Sequence, residues 1–407
     1  VLEFNGWQYL LIDCANHYGL DKLEYNDRIE WVEDNLDTLE DKLEEADNQP
    51  LYLKAVQAIR KAQQGIPTGH LVGFDAVCSG MQIMSALTGC KKGAEATGLV
   101  NPNKRADAYT EGTKIMNNIL GSNMDIPRKD IKAAIMTVLY GSTKQPELIF
   151  GENTPELKAF YEMLTILCPG AFQLLQDLLN SWNPQALHHS WKLPDGFDAY
   201  VPVIDSREAR IEVDELGGAS FTFQFKENKP MNKGKANAAN VIHSVDAYVL
   251  RSLVRRCSYN PRVVTKAKTY LSERLQEPSE RSSATGMVSY LIQQYERSEM
   301  PDVRILDYLD GSNVFGLSVK HCEQLLRIID MMLVHKPFDV ITVHDEFKCM
   351  ANYMNHLRRH YREILAQLNE SRVLDDLLSQ LYKTKGTFPK LSTDLADYIR
   401  KSNYGIC

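Results

Sequence analysis

The sequence predicts an α+β fold, mostly helical around a small antiparallel sheet. Long stretches repeat apolar residues at helical spacing, as at Ile29, Val32 and Leu36. Two short apolar runs, HLVGFDAV and ITVHDEF, read instead as buried strands that end in an acid. Between them, IDSREARIEVDELGGASFTFQF alternates about a Gly-Gly turn, the pattern of a hairpin. The 407 residues are 44 % hydrophobic and 24 % charged, which excludes a disordered, collagen-like or coiled-coil chain.

In chain order, residues 26–64 read as helix until GIPTGH (65–70) breaks the period. The first strand follows, then a helix over MQIMSALT that Gly89 stops. Residues 104–120 read as another helix. An acid and a proline open a helix over 127–140, which Gly141 closes. Residues 155–181 are helical, and strands or a hairpin occupy 191–226. NKPMNKGKANAAN (228–240) reads as a loop, ANAANVIHSVDAYVLRSLVRRC as helix and FDVITVHDEFKCM as strand-turn-strand. The remainder is mostly helix.

No apolar run reaches the roughly 18 residues of a membrane span, and the start lacks the basic region and cleavage site of a signal peptide. No membrane association is expected. The 8 cysteines are scattered without a CxxC pair, which points to reduced thiols in a cytosol. The net charge of −7 argues by itself against a nucleic-acid partner. However, residues 30–47 hold nine acids against Lys42 alone and read as a solvated helix face. The rest of the chain is near +1, so a basic cleft on an acidic body is compatible with the composition.

Asp75 and Asp345 each leave an apolar strand, where an acid is costly unless paired or bound to a cation. Facing one another, they would repel without a divalent ion between them. Oxygen ligands favour magnesium, in the manner of two-metal phosphoryl transfer. Unrelated turn acids are the alternative. Arg128 and Lys132 are four apart on one helix face, and Tyr140 lies about 80° further round. Two cations and an aromatic suit a triphosphate and its base; a basic surface and a core tyrosine are the alternative. His188 and His189 read as surface. His356 and His360 have the spacing of a helical metal pair but no evident third ligand.

These elements, in this order, resemble the polymerase A superfamily, and most closely the single-subunit RNA polymerases of T-seven-like phages and mitochondria. FDAVCSGMQ resembles motif A, RKDIKAAIMTVLYGS motif B and VHDEF motif C, while ANHYGLDKLEYNDRIEWVEDN, WKLPDGF and NVIHSVDAYVLR extend the likeness. The resemblance implies a right hand of palm and fingers with two magnesium ions on Asp75 and Asp345, and the Ala76 carbonyl as a further ligand. It implies that Arg128 and Lys132 bind the triphosphate, that Lys132 protonates pyrophosphate, and that Tyr140 closes on the nascent pair. His344 would support Asp345 and the primer end, His243 would approach the nucleotide sugar, and Tyr109 would stand near the triphosphate. The implied layout is palm over 1–100, fingers over 101–190, fingers and palm with a short specificity-hairpin region over 191–260, an extra helical insertion over 261–336, and palm with the tail over 337–407.

The fifth residue after Asp75 separates RNA from DNA synthesis. DNA polymerases of the superfamily place a Glu there, against the sugar. Gly80 leaves the volume for a ribose hydroxyl, although a glycine there can also serve only a turn. The reading is template-directed RNA synthesis with DNA template, RNA product and ribonucleoside triphosphates as partners. A DNA polymerase, or a scaffold that has lost catalysis, are the alternatives. The family's N-terminal domain and thumb have no counterpart here, which implies either a second subunit that carries them or, as the alternative, a truncated piece of a longer polymerase. The chain resembles the larger subunit of the heterodimeric RNA polymerase II of N-four-like phages. Accessory promoter-recognition or single-stranded-DNA-binding proteins, and the cytoplasm of an infected bacterium, follow from that likeness.

Overall fold

The structure, a computed structural model, describes residues 1–121, 125–277 and 279–407. Among them are seven strands: β1 (Leu71–Asp75), β2 (His188–Lys192), β3 (Asp198–Pro202), β4 (Ile204–Val213), β5 (Ala219–Asn228), β6 (Ile341–Val343) and β7 (Glu346–Met350). They form three antiparallel sheets, β1-β7-β6, β2-β3 and β4-β5, and most other residues are helical. The architecture is α+β.

The β1-β7-β6 sheet organises the molecule. Val72 and Phe74 of β1 are fully buried, so strand alternation and an apolar core hold this segment extended. Phe74 lies opposite Phe347 and Asp75 opposite Glu346. Helices Gly6–Ala15, Ser79–Thr88 and Met354–Glu370 contribute to the core around the sheet. Tyr25 stacks on Phe74 at 5.7 Å and on Tyr404 at 4.7 Å between ring centroids, which ties both ends of the chain to β1. Asp13 is fully buried and accepts hydrogen bonds from the Gly73 amide (3.1 Å) and His70 Nε2 (2.7 Å). It joins the first helix to the back of β1.

The acidic stretch departs from the expected helix. Helix Tyr25–Asp34 gives way to short 3₁₀ turns over Leu36–Thr38 and Glu40–Glu45. Acids four apart, such as Asp37 with Asp41 and Glu40 with Glu44, repel along one helix face and weaken its continuation. The segment 155–181 is two helices, Pro155–Leu167 and Pro169–Asn180, because Pro169 lacks the amide that a continuous helix needs. The helix expected from 104 begins at Ala108, where the Asp107 side chain accepts from the Tyr109 and Thr110 amides.

The region expected to be a short hairpin is a ribbon with ten residues in each strand, β4 and β5, turning at Gly217 and Gly218 (φ +66° and +75°). At about 3.4 Å per residue each strand is about 30 Å long. Phe221, Phe223, Phe225 and Ile211 share one face and stay 39–53 % exposed, a patch that strand periodicity predicts but no local core covers. Helices Pro261–Gln276, Gly286–Ser298 and Val319–Leu333 close a second, smaller core between residues 264 and 332. His189, expected at the surface, is buried instead: its ring lies on Trp182 and its Nε2 accepts from the Asn183 amide.

Candidate active site

A cavity of about 780 Å³ opens at the end of β1. Asp75, Ala76, Gly80, Tyr109, Arg128, Lys132, Tyr140, His243, His344 and Asp345 all line it. Residues up to 270 positions apart in sequence therefore share one space.

The two strand acids arrive there by different devices. Asp75 ends β1. Asp345 occupies the tight turn between β6 and β7, where His344 takes a left-handed backbone (φ 56°). The Ala76 amide donates to the Asp345 carbonyl at 3.1 Å, which binds the turn to the strand end. Burial, and then the charges of Asp345 and Glu346, push the Asp75 carboxyl up to about 6. The Asp75 and Asp345 carboxylates, with the Ala76 carbonyl at the strand end, offer an all-oxygen donor set for a hard divalent cation. The residues present therefore fit magnesium. Among the described residues no group of three or more His, Cys, Asp or Glu side chains is arranged as a metal centre.

Across the cavity, helix Arg128–Val138 presents its cations. The Arg128 guanidinium lies 5.5 Å and the Lys132 ammonium 5.7 Å from the Tyr109 ring centroid, so the three residues form one cluster. Arg128 also donates to Asp107 Oδ2 at 2.7 Å and to the Thr110 hydroxyl at 3.1 Å. Burial raises the Asp107 carboxyl, but hydrogen bonds from Thr110 and Arg128 overcome that and hold it low.

Tyr140 is not on the helix as expected. The helix ends at Val138, and Tyr140 sits in the following turn before Gly141 (φ +90°). That turn swings the ring onto His243, with centroids 4.5 Å apart and planes within 6°. Burial lowers the His243 imidazole and raises the Tyr140 phenol to about 12. The space beside Gly80 is occupied, not vacant: a Cβ there would lie 2.7 Å from the Tyr140 hydroxyl. Gly80 is thus required for the tyrosine to rest where it does.

The cavity also contains residues that sequence reasoning did not single out. His17, Asp21, Lys22 and Arg105 line one wall, and Asp246, Glu346 and Cys407 complete it. His17, Asp21, Lys22, Asp246 and Glu346 lie in the motif-like stretches of the sequence. A lone acid one turn after His243 on an apolar helix was a signal for Asp246. His356 and His360 meet a third ring: His335 Nε2 is 2.8 Å from His360 Nε2, and the His335 and His356 centroids are 4.8 Å apart. The first contact is a hydrogen bond between neutral rings, away from the cavity.

A fold of this kind with a carboxylate pair opposite a cation–tyrosine cluster defines a candidate nucleotidyl-transfer site. Residues 1–147 match the family described as DNA-dependent RNA polymerase. The DNA-directed RNA polymerase of Pseudomonas phage phiKMV is 22 % identical over 318 residues, covering 63 % of this chain and 39 % of that protein. DNA-directed RNA polymerase 1, mitochondrial, of Arabidopsis thaliana is 28 % identical over 174 residues, 34 % of this chain and 18 % of its own. A probable DNA-directed RNA polymerase of Neurospora crassa is 29 % identical over 162 residues, with the same shares. The matched part of the chain is similar to DNA-directed RNA polymerases of a phage and of mitochondria. The chain spans about two fifths of the first relative's length and under a fifth of the other two.

Proposed function

We propose that the chain is the catalytic subunit of a DNA-directed RNA polymerase, transferring ribonucleotides to an RNA 3′-hydroxyl on a DNA template. The observation that supports this best is the Tyr140–His243 stack resting over Gly80 in the same cavity as Asp75 and Asp345. Its two polar ring edges would meet the ribose, and the Tyr140 ring lies where a side chain at position 80 would go. That favours RNA over DNA synthesis.

Asp75, Asp345 and the Ala76 carbonyl would hold two magnesium ions. When bound, these would acidify the attacking hydroxyl and neutralise charge on the departing pyrophosphate. Arg128 and Lys132 would bind the triphosphate, and Lys132 would give a proton to pyrophosphate. In doing so Arg128 would exchange Asp107 for phosphate oxygens, a bidentate acceptor of greater charge. Tyr109 would keep both cations in register. Tyr140 would close on the nascent pair, His243 would meet the ribose and His344 would steady Asp345 and the RNA end.

The partners in this reading are DNA template, RNA and ribonucleoside triphosphates. A second subunit would supply thumb and N-terminal functions, accessory proteins would select promoters, and the setting would be the cytoplasm of a phage-infected bacterium. The layout would be palm (1–100 and 337–407) and fingers (101–190 and part of 191–260), with the 261–336 unit as an insertion. The test is extension of an RNA primer on single-stranded DNA, with co-purifying proteins present. Ribonucleotides should be used in preference to deoxyribonucleotides, and Asp75→Asn or Asp345→Asn should abolish synthesis. Full activity in either variant refutes the metal roles.

A further inference from the structure

Asp246 is the cavity acid for which the proposed mechanism has no use. It lies on helix Ala236–Cys257, three residues after His243 and so on the same face. The other lining acids are accounted for. Asp107 holds Arg128, Glu346 pairs with Lys348 at 3.1 Å, Asp21 lies 3.8 Å from Arg105, and Asp75 and Asp345 form the cation pair. Asp246 is half-buried and, among the described residues, has no hydrogen bond or ion pair within the chain. Burial, and then the charge of Asp345, push its carboxyl up to about 6. A carboxyl kept in such a place without a partner inside the protein is poised for one outside it.

Its position restricts that partner. Its neighbours in the cavity are the Tyr140–His243 stack, which the proposed function sets at the incoming sugar, and Asp345, whose charge acts on its carboxyl. Three helical residues advance about 4.5 Å and successive nucleotides of a strand about 3.4 Å, so a group one turn from His243 is within reach of a neighbouring nucleotide. The next sugar from the incoming one is that of the RNA 3′ end. Its 2′-hydroxyl is a donor and an acceptor, and it is the group that distinguishes an RNA end from a DNA end. A carboxyl group can answer either role.

Resting on the polymerase reading above, we propose that Asp246 is a specificity-determining residue for the primer, hydrogen-bonding the 2′-hydroxyl of the RNA's terminal nucleotide. A terminal nucleotide lacking that hydroxyl leaves Asp246 unpaired and is extended less efficiently. A hydrogen bond involving a charged group corresponds to about 10- to 100-fold in kcat/KM.

The experiment compares two primers on one DNA template. They differ only in a ribo- or 2′-deoxyribonucleotide at the 3′ end, and both keep the 3′-hydroxyl. Wild-type protein should prefer the ribo end by about tenfold or more. Asp246→Ala should bring the ratio near one by slowing the ribo end alone, and Asp246→Asn, whose amide still hydrogen-bonds, should restore part of it. Primer–template affinity, read by fluorescence anisotropy in calcium, gives the same ratio without turnover and covers a variant that does not extend. An unchanged ratio in Asp246→Ala, or an equal loss for both ends in extension and affinity, overturns the proposal. Failure of the wild-type protein to make RNA from either primer overturns the polymerase reading instead.

Discussion

Neutralising Asp75 should abolish synthesis and at the same time stabilise the metal-free protein. In the folded chain this carboxyl is raised from an ordinary 3.8 to about 6 by burial and by the charges of Asp345 and Glu346. A carboxyl whose folded value lies above its unfolded one destabilises the fold when ionised. The cost is absent below about pH 4, grows between about 4 and 6, and is complete above about 6. At about 1.4 kcal/mol per decade, the displacement corresponds to about 3 kcal/mol. The Asp75 side chain is open to the cavity's water, so screening reduces this to about 1–2 kcal/mol. Asp75→Asn should therefore raise the thermal midpoint in EDTA at about pH 7.5 by roughly 1–3 °C. The gain should vanish near pH 4, and magnesium should stabilise wild type more than the variant. The assay is a melting series in pH with and without magnesium. An Asp75→Asn protein no more stable than wild type at neutral pH would refute the argument that the two acids repel.

Other perturbations have equally definite outcomes. Gly80→Glu places a Cβ 2.7 Å from the Tyr140 hydroxyl and must displace that ring; kcat/KM for ribonucleotides should fall by about tenfold or more, and unchanged steady-state rates would contradict the sugar argument. Lys132→Ala and Arg128→Ala should each raise the ribonucleotide KM by about tenfold, whereas Asp107→Asn, which frees Arg128, should raise it far less; titration of initial rates decides. Asp13 is raised by burial but held down at about 2 by hydrogen bonds from His17 and His70. Its folded value lies below its unfolded one, so it contributes about 2 kcal/mol above pH 4 that is lost as pH falls from about 4 to 2. Asp13→Asn should flatten denaturant midpoints over that range, and an unaltered pH profile would exclude the role. Phe221→Ser and Phe223→Ser, on the uncovered ribbon face, should change stability by less than about 0.5 kcal/mol each; a larger loss by chemical denaturation would mean the ribbon is packed in solution.

Much of this site was legible because its parts are local. An acid closing an apolar run is visible in HLVGFDAV and ITVHDEF, and a basic helix face in Arg128 and Lys132. Strand and helix periods depend on neighbours a few residues away, so the chain itself displays them. The 3₁₀ turns in the acidic run and the break at Pro169 were also readable, from charge spacing and a missing amide, but an extended apolar period obscured them.

The sequence by itself determined the α+β class, the strand end at Asp75, the strand-turn-strand that carries Asp345 and the absence of a side chain at Gly80. Only the tertiary structure decided that Tyr140 leaves its helix to stack on His243, 103 residues away, and that Asp107 restrains Arg128. It alone left Asp246 without a partner among the described residues. Periodicity follows from backbone geometry within one element, whereas burial, ion pairing and stacking depend on which distant elements the core brings together.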